Sequence, residues 1–99
     1  MNKDDIYNSF ETRDFVNICE GMTWREIDNY TLELIISIEK LNLGENGFYH
    51  DKVHRIKRLY RFLKGLRHYM YYKSAPSGFD DVDFSYMQII LDHANGDSF

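Results

Sequence analysis

The feature that most constrains the fold is a stretch from about residue 49 to residue 73 in which apolar side chains recur every three or four positions. Because an α-helix turns by about 100° per residue, such side chains fall on one side of a helix. The stretch therefore predicts a continuous helix about 35 Å long. Its predicted buried residues are Val53, Ile56, Leu59, Tyr60, Leu63, Leu66 and Met70.

The other side of this predicted helix is basic. Residues 52 to 73 contain eight of the twelve Lys and Arg residues and no Asp or Glu, whereas the whole chain has a formal charge of −4. Exposed helices ordinarily mix both signs of charge, so this sorting indicates a binding surface on the helix 50–73. The predicted contact residues are His54, Lys57, Arg58, Arg61, Lys64, His68 and Tyr72.

A second helix is predicted from its start signal. Thr23 and Glu26 have the spacing of a capping box, with Met22 and Ile27 placed as a hydrophobic staple. Gly44 is the predicted stop. The predicted buried positions of this helix are Ile27, Tyr30, Leu34, Ile35, Ile38 and Leu41.

Two further helices flank these. The residues before Gly21 favour a short helix over a strand, and Asp80 or Asp81 is the predicted start of a helix that runs to about Ala94, with Gly96 beyond it. We expect the last helix to bury Val82, Tyr86, Ile89, Ile90 and Ala94.

Together these signals predict the all-α class, as a compact bundle of about four helices with neighbours antiparallel. A length of 99 residues suits a single domain over residues 1–99. Gly65, within the basic helix, predicts either a kink or a close approach of another backbone.

The composition also bounds the setting of the protein. The first ten residues lack the basic and apolar segments of a secretory signal, and no window is long enough to span a membrane, so we expect a cytoplasmic protein with no membrane partner. Cys19 is the only cysteine, which predicts a buried structural thiol. No motif indicates a cofactor.

Two interpretations of the basic side remain open at this point. It has the charge to bind nucleic acid or an acidic protein surface, since Arg and Lys neutralise phosphates and carboxylates. Alternatively, it pairs with the acidic surfaces of the other helices, within the chain or across a homodimer. The overall acidity, with a pI near 5.5, argues against nucleic acid.

The acidic remainder of the chain supports another hypothesis, a small protein-binding regulator or inhibitor of a host protein. The sparse Ala and abundant Ile, Tyr and Asn are typical of AT-rich genomes, such as those of phages and other mobile elements, where inhibitors of host defence occur. The acidic residues expected to form its surface are Asp4, Asp5, Asp14, Glu20, Glu26, Asp28, Glu33, Asp80, Asp81 and Asp83.

Catalytic and metal sites have little support, and we expect a protein that is not an enzyme. His50 and His54 have the spacing of a helical metal pair, but basic neighbours disfavour a cation there, so no metal site is predicted. Arg61 and His68 lie seven residues apart in RLYRFLKGLRH, which resembles the arginine-to-histidine spacing of HEPN-type helical ribonucleases. That resemblance implies Arg61 as a phosphate-stabilising residue and His68 as an acid or base, although the polar residue that usually follows the arginine is missing.

Overall fold

A computed structural model of the chain describes residues 11–41, 50–74, 76–96 and 98. Within these ranges the fold consists of four α-helices: α1 (Thr12–Ile18), α2 (Trp24–Glu39), α3 (His50–Tyr72) and α4 (Asp81–Asp92). The predicted all-α bundle is therefore confirmed. No helix in the described ranges is both long enough and apolar enough to cross a membrane.

The starts of α2 and α4 are fixed by local hydrogen bonds. Thr23 Oγ1 accepts the backbone N–H of Glu26 at 3.1 Å, and Glu26 accepts the N–H of Thr23 at 3.0 Å, so the predicted capping box forms. Asp80 and Asp83 form the equivalent pair at α4. Each box satisfies backbone donors that a helix start would otherwise leave unpaired.

The core is centred on α3, as its apolar periodicity predicts. All the residues predicted to be buried on this helix are buried except Tyr60, which is only partly covered. Phe62, which was not among them, is fully buried. Its ring contacts those of Phe15, Phe79 and Tyr86, so α1, α4 and the segment before α4 all pack around it.

Helix α2 lies antiparallel to α3, which confirms the predicted arrangement for this pair. Asp28 in the first turns of α2 accepts hydrogen bonds from Arg67 (2.9 Å) and Tyr71 (2.7 Å) at the far end of α3. The predicted buried positions of α2 are buried, with Tyr30 partly so. Helix α2 ends at Glu39, with Lys40 as its C-cap, so the predicted end at Gly44 was too late. Residues 42–49, Gly44 among them, lie outside the described residues.

The prediction of which α4 residues are buried was wrong at two positions. Val82 is 51% exposed and Ile89 is 49% exposed, whereas Asp83, Met87 and Ile90 point inward. In the capping box of this helix, Asp83 Oδ2 accepts the backbone N–H of Asp80, and the same oxygen accepts a hydrogen bond from Arg61 of α3. This orientation buries Met87 and Ile90 in the core and keeps Asp83 beside Arg61, and it leaves Val82 and Ile89 on the outside.

Helix α3 continues without interruption through Gly65, and the atoms nearest to this residue belong to a side chain rather than to the other backbone that the sequence analysis considered. Instead the ring of Phe79 occupies the space where a Cβ atom of residue 65 would lie. Residues 76–79 thus run back along α3, and α4 begins beside Arg61 rather than beyond the end of α3.

Candidate nucleic-acid interface

The exposed side of α3 carries six of the seven predicted contact residues in one line. Their spacing of three or four residues places them within an arc of roughly 80° on the helix surface. All six are exposed, and Tyr72 is 71% exposed. We call this line the basic stripe: His54, Lys57, Arg61, Lys64, His68 and Tyr72. The seventh residue, Arg58, is also exposed and lies at the edge that faces α4.

Carboxylates of the same chain neutralise part of α3. Arg55 binds Glu11 at 2.9 Å and Arg67 binds Asp28 at 2.9 Å, but neither arginine belongs to the basic stripe. Within the stripe, Arg61 lies 3.3 Å from Asp83 while its own side chain stays half exposed. Ion pairs between α3 and acidic residues of the same chain, one of the two interpretations left open by the sequence, therefore do form. They involve mainly the arginines that flank the stripe.

In the part of the chain that the structure describes, neither Lys57 nor Lys64 has a carboxylate oxygen within 4 Å, although Glu39 of α2 lines the same small pocket as Lys57. The amino group of Lys64 lies 5.1 Å from the centre of the Tyr60 ring, and the rings of His68 and Tyr72 are 4.9 Å apart. These contacts with aromatic rings leave the positive charges in water and available to an anion.

Arg58 acts on α4 through charge alone. The pKa of Asp80 is lowered from its ordinary value, first by the backbone N–H of Asp83 and to a smaller extent by the charges of Arg58 and Arg61. Because no hydrogen bond joins Arg58 to a carboxylate among the described residues, its guanidinium also remains open to a ligand.

An open groove of about 460 Å³ runs beside the stripe, between α3 and residues 76–79. Arg61, Lys64 and His68 line it with basic side chains, and we call the aromatic and small residues of its lining the floor. Its lining residues are Tyr60, Arg61, Lys64, Gly65, His68, Pro76, Ser77 and Phe79. The groove therefore combines an apolar floor with a cationic edge.

The sequence did not predict a groove, although three of the predicted contact residues line it. Arg61, Lys64 and His68 were predicted contact residues, whereas Phe79, Pro76 and Ser77 were not. The available signal was Gly65, a glycine inside a helix, which often marks a close approach by another part of the chain. Periodicity along α3 cannot show that the approaching group is the ring of Phe79.

No match is found when the chain is compared with protein-family models, curated proteins and solved structures. The function therefore has to be inferred from the chemistry of the basic stripe and the groove.

Cys19 and the paired histidines are the other reactive groups that the sequence analysis considered. Burial raises the pKa of the Cys19 thiol to about 12, so this sulfur stays protonated and unreactive at neutral pH. No group of three or more His, Cys, Asp or Glu residues in those ranges is placed to hold a metal ion. The side chain of His50, one half of the histidine pair seen in the sequence, lies outside the described residues.

Arg61 and His68, the two residues of the ribonuclease resemblance, line the same groove. Arg61 is bound to Asp83, and the ring of His68 lies against that of Tyr72. The pair can thus contact one ligand, and a phosphate is the group that both would favour.

Of the acidic residues expected to form an anionic surface, Asp28 and Asp83 are buried, whereas Glu20, Glu26, Glu33, Asp80 and Asp81 are exposed. Asp28 and Asp83 are buried against arginines of α3. Asp14, Glu26 and Asp80 accept backbone N–H groups at helix starts. Asp4 and Asp5 lie outside the described residues.

Proposed function

We propose that this chain binds nucleic acid through the basic stripe of α3. The supporting observation is that Lys57 and Lys64 project from the exposed side of the helix, in line with Arg61 and His68, without a carboxylate partner among the described residues. A surface of this kind attracts phosphates by charge and gains affinity by releasing their counterions.

The spacing of these residues suits a phosphate backbone. Neighbouring positions three or four residues apart on a helix are about 5–6 Å from each other, and residues 57 to 68 span about 16 Å. Contacts from Lys and Arg to phosphates position a protein on nucleic acid without reading bases. We therefore expect binding with little dependence on sequence.

Arg61 contributes less than the two lysines. Its half-exposed side chain can turn toward a phosphate, but the turn would leave the buried carboxylate of Asp83 without its charged partner. Leaving a buried carboxylate without its charged partner costs free energy, which offsets part of the free energy gained from the new contact with a phosphate. The affinity should thus depend most on Lys57 and Lys64.

The test compares two double variants of equal charge. Lys57→Gln with Lys64→Gln removes two charges from the stripe, and the control Arg25→Gln with Lys40→Gln removes two exposed charges from α2. Fluorescence anisotropy with a labelled 20-nucleotide strand at 50 to 300 mM KCl gives the affinity. For three or four phosphate contacts, log affinity should fall against log salt with a slope of about −2 to −3 on a single strand.

The stripe variant should bind more weakly and lower the magnitude of that slope by about 1.4, because two contacts are lost. The control should retain both the affinity and the slope of the wild type. A salt response near zero, or equal losses in both variants, would contradict the proposal. Replacing Arg58 and Arg61 together would be a poorer test, since Arg61 also holds the buried Asp83.

The same titration with RNA addresses the ribonuclease alternative. If Arg61 and His68 cleave RNA, the labelled strand should shorten on a denaturing gel with the wild type and stay intact with His68→Ala. An intact strand with the wild-type protein leaves binding as the only activity for which the groove has support.

The outer face of α2 favours a second candidate, a small acidic regulator that binds a host protein. Leu32 is 38% exposed and Ile36 is 44% exposed, and Glu39 lies on the same side of the helix. A partner that binds this face should be captured stoichiometrically from nuclease-treated host lysate by the wild type and lost with Ile36→Lys. Absence of any stoichiometric partner would count against this candidate.

A further inference from the structure

We infer that the groove beside the basic stripe receives an unstacked base, so that the nucleic acid bound here is single-stranded. This inference rests on the proposed function and adds that the bound nucleic acid is a single strand rather than a duplex. Binding to phosphates alone would need only the stripe, and it would leave the apolar floor of the groove without a role.

The floor of the groove is held in place by packing. The Phe79 ring lies over Gly65 and parallel to the ring of Phe62, with 5.7 Å between centroids and an angle of 6°. Phe84 meets Phe79 edge-on at 5.6 Å. Because Phe62 is fully buried, the floor is anchored in the core and is already formed before a ligand arrives.

The groove has the size for a base. Its volume of about 460 Å³ falls within the range of about 300–1,000 Å³ that is typical of small-molecule sites. Bases of a single strand can turn outward and stack on aromatic side chains, whereas bases in a duplex are already paired and stacked. Tyr60 and Phe79 line the groove. Lys64 covers one face of the Tyr60 ring and Phe62 covers one face of the Phe79 ring, so a base would stack on the opposite face of either ring.

The charges at the edge of the groove favour a nucleotide over a neutral ligand. Lys64 lies over the Tyr60 ring, and Arg61 and His68 line the same groove, so a phosphate next to the bound base would meet positive charge. The carboxylates of an acidic peptide would match the positive charges, but they would not stack on the aromatic residues of the floor.

The experiment compares three ligands that carry the same number of phosphates per strand. The ligands are a 15-nucleotide single strand, the same strand annealed to its complement, and a strand of equal length with abasic sites. All three are made as DNA, and the single strand and the duplex are also made as RNA. At a fixed salt concentration, the wild type should bind the single strand about tenfold more tightly than the abasic strand, as expected for one stacked base. The DNA and RNA arms show whether the sugar matters.

Three variants separate the base contact from the phosphate contacts. Tyr60→Leu should lower the affinity for the single strand to the level of the abasic strand, and Tyr60→Phe should keep the wild-type affinity because it keeps the ring. Lys57 lies on the stripe and does not line the groove, so Lys57→Gln should weaken all the ligands alike.

Crosslinking tests the same point without a substitution. A single strand that contains 5-iodouridine should crosslink to Tyr60, Phe79 or His68 on irradiation, as identified by mass spectrometry. Crosslinks confined to other residues would overturn the inference. Equal, salt-dependent affinity for the single strand and the abasic strand would also overturn it and leave the proposed function standing, whereas no binding to any ligand would remove both.

Discussion

At the scale of single residues, Gly65 has a structural role that its helix propensity conceals. Glycine in the middle of a helix is about 1 kcal/mol less favourable than alanine. Here the missing side chain lets the Phe79 ring pack directly on α3 and form the floor of the groove. The loss of helix propensity is thus offset by aromatic packing between α3 and the segment before α4.

We predict that Gly65→Ala destabilises the protein, although alanine is the better helix former. The added Cβ would overlap the Phe79 ring, and forcing such a ring aside costs about 1–3 kcal/mol, more than the gain in propensity. Urea unfolding followed by circular dichroism measures the change. Ser85→Ala, an exposed site on α4, serves as the control and should change stability by less than about 0.5 kcal/mol.

A double-mutant cycle identifies the cause of the loss. In a Phe79→Ala background the ring is gone, so Gly65→Ala should become neutral or stabilising. If the substitution destabilises both backgrounds equally, the contact between Gly65 and Phe79 is not the reason that glycine is needed.

At the scale of helices, a polar contact joins α2 to α3. The carboxylate of Asp28 is nearly buried, and it accepts one hydrogen bond from Arg67 and another from Tyr71. The bond to Asp28 is the main reason that the pKa of Arg67 lies above its ordinary value. Since a buried carboxylate needs such partners, this contact fixes which turn of α2 faces the end of α3.

We predict that Arg67→Ala lowers the free energy of unfolding by about 1–3 kcal/mol, because it leaves Asp28 with only the Tyr71 hydroxyl. Thermal or urea unfolding measures this change, and Arg25→Ala on the exposed side of α2 should stay within about 0.5 kcal/mol of the wild type. If Arg67→Ala proves as mild as Arg25→Ala, Asp28 does not depend on this partner.

At the scale of the whole molecule, the residues after α4 are tied to the connection between α1 and α2. Asn95 donates its backbone N–H to Met22 at 3.0 Å, accepts that of Trp24 at 3.3 Å, and donates its side-chain amide to Gly21 at 2.7 Å. Trp24 in turn lies under the amino group of Lys73, which follows α3. This one region therefore connects all four described helices.

We predict that a chain ending at Ala94 is less stable by about 1–3 kcal/mol than one ending at Gly96, because three hydrogen bonds are lost. Differential scanning calorimetry compares the two chains. The longer chain should unfold in a single transition. Equal midpoints for the two chains would show that Asn95 does not hold the helices together.

The local parts of the fold could be predicted because they depend on neighbours in the sequence. Three features depend on residues no more than four positions apart. They are the capping box at Thr23, the end of the first helix near Gly21 and the apolar periodicity that marks the buried side of α3. The exposed line of basic residues follows for the same reason, since it is the complement of the buried side of one helix.

The rest was decided by contacts between distant residues. The outward positions of Val82 and Ile89 depend on the packing of α4, which places Met87 and Ile90 in the core and Asp83 beside Arg61. The groove depends on the approach of Phe79 to Gly65. Thus the sequence alone determined the helices and placed the positive charge on one of them. Only tertiary packing decided which of those charges are neutralised within the chain and which stay open, because neutralisation requires a carboxylate brought close in space rather than along the chain.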